Sequence, residues 1–161
     1  MRVARILLAS LAAWMCHAQP SVLSVSGDVA TPVTFTAAEF AAMPHISITV
    51  PEKNGGNAVY QGVRLRDVLG KAGAPFGKPL RGKALASYVL ASAKDGYQVT
   101  FALAELDPEF QDSDRILVAD RRDGKPLAAE QGPLRIIAGG DKIPARSMRM
   151  LEKLQVVLLR K

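Results

Sequence analysis

The chain has one cysteine, Cys16, and it lies in a segment expected to be removed. The first 18 residues, MRVARILLASLAAWMCHA, set Arg2 and Arg5 ahead of an apolar run from Ile6 to Met15. A small-residue site ending at Ala18 follows. This is the layout of a secretory signal peptide. The run is too short for a membrane span, which needs roughly 20 apolar residues. Cleavage after Ala18 is therefore expected, and with it a periplasmic or secreted location. Bulky Trp14 and Met15 just before Cys16 argue against its use as a lipidated residue. The processed chain would carry no thiol, which excludes a disulfide framework, a thiolate metal site and a cysteine nucleophile. Such a chain must be held by its own core, and about 140 residues are enough for one.

The full chain has 21 Lys and Arg against 15 Asp and Glu, a formal charge of +6. Loss of Arg2 and Arg5 leaves it near +4. That modest excess suits an anionic small molecule, an acidic partner protein or a membrane surface. Nucleic acid is not expected, because nothing interleaves aromatic and basic residues.

From Ser21 to Arg160 the pattern is one domain of short strand segments broken by turns. SVLSVSGDV and VTFT flank a turn at Ala30-Thr31-Pro32. Thr36 and Glu39 have capping-box spacing and predict a short helix over AAEFAAM, stopped by Pro44. HISITV alternates and is β-branched, which predicts a strand. PEKNGGN is a loop and AVYQG another strand. VRLRDVLGKAG has apolar residues at helical spacing, with Gly73 as its C-terminal stop. ALASYVLASA reads as one long β segment. Lys94-Asp95-Gly96 and Arg122-Asp123-Gly124 are hairpin signals, with YQVTFAL, RILVAD, LRIIA and LQVVLL as further strands. AELDPEFQDSD reads as a helical turn and loop. The expectation is an α+β domain dominated by mixed sheet, with two or three short helices.

Several chemistries find no support. GKPLRGKA, Gly77 to Ala84, lacks the final hydroxyl of a phosphate-binding P-loop and does not lie between a strand and a helix. His45 is the only histidine outside the leader, too few for a catalytic zinc site, and it reads as a residue at the start of a strand. No carboxylates have calcium-loop spacing. No G-x-S-x-G elbow accompanies a serine. By contrast GGDKIPARSMRMLEK gathers Lys142, Arg146, Ser147, Arg149 and Lys153 beside Gly139-Gly140. Glycine-rich backbone and guanidinium forks bind phosphate or sulfate well. The same residues also suit a solvated basic face.

Taken in order, VYQGVRLRDVLGKAGA, ASAKDGYQVTFALAEL, ILVADRRDGKPLAAEQGPLRIIAGG and ARSMRMLEKLQVV resemble the oxidoreductase molybdopterin-binding domain. That is the central domain of sulfite oxidase and related enzymes. The matching positions are Gly62-Val63 with Leu65, Asp95-Gly96-Tyr97, Gly124 with Pro126-Leu127, Gly132-Pro133 with Arg135, and Arg146-Ser147 with Arg149 and Leu151. The resemblance implies a sheet-rich α+β fold of the sulfite-oxidase type. It also implies a molybdopterin whose phosphate is held near the C-terminal motif. Arg146, Ser147 and Arg149 match that motif; with Arg135 and the Gly139-Gly140 backbone of the basic stretch they are the candidate cofactor-binding residues, and a periplasmic redox protein is a candidate partner.

The departures from the family pattern are specific. Its active members hold molybdenum through one cysteine, and the corresponding loop, TVPEKNGGN, has none. Gln131 stands where a histidine is usual, and Asp120 where a tyrosine is common. The expectation is a scaffold with an anion site and no metal-ligating residue. The rival expectations are an oxidoreductase with a different metal site or a partner's ligand, and a purely structural or protein-interaction domain.

Overall fold

The computed structural model describes residues 20–159 apart from 53–54 and 112, so the expected leader lies outside the described residues. The chain opens with β1 (Ser21–Gly27) and β2 (Val33–Thr36), then α1 (Ala37–Ala41). The capping box is present: the Thr36 hydroxyl accepts from the Glu39 N–H at 3.3 Å, and the Glu39 carboxylate accepts from the Thr36 N–H at 2.8 Å. The Thr36 N–H and the Thr36 hydroxyl, the latter at 2.9 Å, both donate to the Glu39 carboxylate and hold that carboxyl below its ordinary range.

Next come β3 (Ile46–Pro51), β4 (Asn57–Arg64) and α2 (Leu65–Lys71). Gly73 follows α2 with φ +74°, where a Cβ would also strike Ala30. The hairpin β5 (Tyr88–Ala93) and β6 (Gln98–Ala102) turns at Gly96, as its sequence predicts. β7 (Ile116–Arg122) and β8 (Lys125–Pro126) form the second hairpin, with Asp123 and Gly124 both at positive φ. β9 (Arg135–Ala138) and β10 (Leu151–Val157) complete the set.

The long β segment expected over ALASYVLASA is shorter in the structure. Gly82–Ala86 is a 3-10 turn, and the strand begins only at Tyr88. Gly82 redirects the backbone at φ +58°, and the Ala-Leu-Ala run lacks the β-branched side chains that favour a pleated surface.

The strands form two sheets. The first has the order β2-β1-β10-β5-β6, with β1 and β10 parallel. The second runs β3-β4-β7-β8, with β9 pairing β7 as well. The main core joins both sheets to α2: Leu23, Val25, Val89, Phe101 and Leu154 meet Val63, Val118 and Ile136, together with Leu65, Val68 and Leu69. A smaller cluster of Ala58, Tyr60, Ala119 and Ile137 covers the other face of the second sheet. β9 shows the alternation behind this division. Ile136 and Ala138 belong to the main core, while Arg135 and Ile137 point away from it.

The β4–β7 pairing is not regular. Gly62 lies opposite Ala119 and Gln61 opposite Arg121, so Asp120 is the extra residue of a β-bulge. A Cβ on Gly62 would lie 2.1 Å from the Val118 carbonyl oxygen, so the strands approach this closely only because it is glycine. Asp120 reaches His45, whose Nε2 is 3.2 Å from its Oδ1. The His45 Nδ1 donates to the Met43 carbonyl at 2.7 Å, and the ring packs edge-on against Phe40. His45 thus sits between the segment before β3 and β7, one residue ahead of the strand its sequence position predicts. No helix among the described residues is long and apolar enough to cross a membrane.

Candidate anion-binding site

A cleft of about 450 Å³ opens on the outer face of the second sheet. Its walls are apolar at Val50, Pro51, Ile137 and Pro144. Its polar groups are Glu52, Tyr60, Arg122, Gln131, Arg135, Ser147 and Arg149. Strands supply Tyr60, Arg122 and Arg135, so these are set by the ladder. Glu52, Gln131, Ser147 and Arg149 come from connecting segments.

Arg135 is the centre of this arrangement. Its guanidinium lies over the Tyr60 ring, with Cζ 5.0 Å from the centroid. Nη1 donates to the Gln131 side-chain oxygen at 2.9 Å and to the Tyr60 hydroxyl at 3.3 Å, and Nη2 to the Ser147 carbonyl at 3.4 Å. All three acceptors are neutral. Nε is buried and has no hydrogen-bond partner. Burial pushes the guanidinium below its ordinary pKa range. Tyr60 and Glu52 oppose that shift, while Arg149 and Arg122 add to it. A half-buried cation held by neutral groups and facing two more cations is a favourable place for an anion.

The other two arginines differ from it and from each other. Arg122 also faces the Tyr60 ring, at 5.9 Å, but it has its own counter-ions. Glu52 bonds its Nη2, and the Asp123 carboxylate lies 3.3 Å from its Nε. Arg149 is exposed and has no carboxylate partner among the described residues. Ser147 uses its hydroxyl to accept from the Ala138 N–H at 2.9 Å and so ties its segment to the end of β9.

Arg135, Ser147 and Arg149 therefore meet in one cleft, whereas three other candidates do not. Arg146 lies outside its lining. The Asp141 carboxylate takes its Nε and Nη2 at 2.9 and 2.7 Å, and Glu105 takes Nη1 at 3.0 Å. Its guanidinium also lies over Phe101 at 4.8 Å. Asp141, then Glu105, raise its pKa further still. Its charge is balanced by two carboxylates, and it braces the segments that carry them. Gly139 and Gly140 are also outside the lining. The Gly139 N–H donates to the Arg115 carbonyl at 2.8 Å, and a Cβ there would lie 3.0 Å from Ile48. Gly140 packs against the Arg115 side chain. Both pack closely against their neighbours, and neither lines this cleft.

Three lining residues, Tyr60, Glu52 and Arg122, carry no functional signal in the sequence. Arg122 is legible there only as the start of a hairpin turn. Gln131 stands where the family usually has a histidine, and the structure shows what it does in that place: it accepts from Arg135.

Comparison with known proteins places this geometry in context. The sequence matches the oxidoreductase molybdopterin binding domain over residues 16–159. The chain belongs to this family. Among solved structures, the sulfane dehydrogenase SoxCD from Paracoccus pantotrophus superposes with a TM-score of 0.64 at 18% identity, over 83% of this chain and 37% of that one. At that identity the likeness supports the sulfite-oxidase-type fold, and the chain spans little more than a third of the neighbour. A search of curated protein sequences found no match.

Membership raises the question of whether a molybdopterin fits. A phosphate would find the Arg135 Nε and Arg149 without carboxylate partners, in a cleft of suitable volume. A molybdenum ion would find much less. The β3–β4 segment brings Pro51 and Glu52 to the cleft and carries no thiol. No group of three His, Cys, Asp or Glu side chains clusters anywhere among the described residues. The donor set suits an oxyanion and supplies no thiolate ligand for a molybdenum centre.

Proposed function

We propose that this member of the family is an exported accessory module that binds an anionic ligand of the phosphate or sulfate class in the arginine cleft, without molybdenum redox chemistry of its own. The observation that carries the reading is Arg135: half-buried, bonded only to neutral acceptors, with a desolvated Nε left over. A pterin phosphate is one ligand of this class, and family membership makes it the first to try. A periplasmic redox protein is the proposed partner.

The test is direct. The full chain is produced in a host able to make molybdopterin, then assayed for molybdenum by elemental analysis and for pterin by fluorescence after oxidation. The expected result is molybdenum far below one per chain, with any pterin lost on Arg135→Gln. Stoichiometric molybdenum would replace the accessory reading with that of an oxidoreductase using a non-cysteine site or a partner's ligand. N-terminal sequencing of the protein recovered from the periplasm tests export, with Gln19 expected as the first residue.

A further inference from the structure

Among its described lining residues the cleft has one carboxylate, that of Glu52. Glu52 leaves the end of β3 and bonds Nη2 of Arg122, with both side chains about a quarter to a third exposed, 27% and 33%. Arg122 and Arg135 lie over the same Tyr60 ring, at 5.9 and 5.0 Å. The Glu52 charge is felt at Arg135 as well. Glu52 therefore stands beside the anion position proposed above.

We propose that Glu52 is an internal counter-ion that sets the charge the cleft accepts, by neutralising Arg122 within it. With Glu52 in place, Arg122 is balanced by Glu52 and Asp123, and among the described lining residues the cations left without a carboxylate partner are Arg135 and Arg149. Two uncompensated cations match a dianion such as sulfate or hydrogen phosphate. A third ligand charge would meet the Glu52 carboxylate, and like charges at short range are strongly disfavoured. Neutralising Glu52 frees the Arg122 fork, which is planar and suited to bidentate oxyanion contact. The site then becomes a three-arginine site and binds more highly charged anions. Glu52 is a specificity-determining residue on this view.

The proposal rests on the anion reading of the cleft, and the experiment separates the two. Sulfate, inorganic phosphate and pyrophosphate are titrated calorimetrically into the wild type and into Glu52→Gln, Asp123→Asn and Arg135→Gln at fixed ionic strength. Melting curves confirm that each variant is folded. The expected result is that Glu52→Gln tightens sulfate binding several-fold and pyrophosphate binding more, by about tenfold. Asp123→Asn removes the other carboxylate on Arg122 from outside the cleft, and it should change both by less than twofold. If the wild type binds sulfate but Glu52→Gln binds it equally or more weakly, the counter-ion role is wrong and the site reading stands. The counter-ion role is equally wrong if Asp123→Asn gains as much as Glu52→Gln, because the effect would then be general charge. If the wild type binds none of the three anions and Arg135→Gln behaves identically, the site reading fails and the counter-ion role fails with it.

Discussion

Arg135 and Arg146 lie eleven positions apart and are both candidates for one site by sequence, yet their surroundings are opposite. Arg146 has two carboxylates, a bidentate fork to Asp141 and a second contact to Glu105. Arg135 has three neutral acceptors and a buried nitrogen with none. A balanced guanidinium ties segments together, here the turn at Asp141 to the one at Glu105. An unbalanced one carries a desolvation cost that its own fold does not recover. The contrast teaches that what marks a binding arginine is the lack of an internal counter-ion, more than its place in a basic stretch.

The sharpest way to break this comparison is to make both arginines methionine. Arg135→Met should weaken sulfate or phosphate binding by about a hundredfold, a loss of ~2–3 kcal/mol. Its melting temperature should stay level or rise, since an apolar side chain replaces a desolvated charge. A clear fall in stability would mean Arg135 is structural after all. Arg146→Met should do the reverse. It leaves Glu105 and Asp141 without their shared cation and should cost about 1–2 kcal/mol in urea unfolding, discounted because the group is partly exposed. Anion affinity should move by less than twofold.

Arg149→Gln probes the exposed end of the cleft and should weaken binding by about three- to fivefold, with a shallower salt dependence and unchanged stability. The smallest effect concerns pH. Glu39, held down by Thr36, and Asp114, held down by Arg64, both have lowered pKa values in the folded state. Each contributes stability above its unfolded value and loses it as the pH falls through the folded one. A urea series between pH 6 and 3 should therefore show declining stability, with Thr36→Ala flattening part of the slope. The contrast between Arg135 and Arg146 should persist throughout, because neither guanidinium titrates there.

Local features are legible in the sequence because their causes are local. The Thr36–Glu39 capping box, the Gly96 turn and the Asp123-Gly124 turn each depend on a few adjacent residues. Strand order is not legible, since β10 enters between β1 and β5 from far along the chain. The family resemblance supplies the fold where periodicity stops. The site is only half legible. Arg135 sits in a four-residue strand, too short for alternation to say which face it takes. Glu105, which neutralises Arg146, is 41 positions away. Glu52 belongs to a loop whose sequence draws notice for its missing cysteine, and nothing local pairs its carboxylate with Arg122, 70 positions on.

One inserted residue in β7 has an effect beyond its own side chain. A pleated strand works like a two-state clock, and Asp120 makes it skip a beat. Val118 belongs to the main core, so an unbroken count of two would send Arg122 to that same side. The skipped beat places Arg122 opposite Tyr60 and in the cleft instead. Deleting Asp120 would leave a regular ladder with Arg122 still opposite Tyr60, whereas pairing Asp120 without the bulge would turn that guanidinium toward apolar neighbours and leave Glu52 with nothing to hold. The charge pattern of the cleft is written in the backbone phase of one strand as much as in the identity of its arginines.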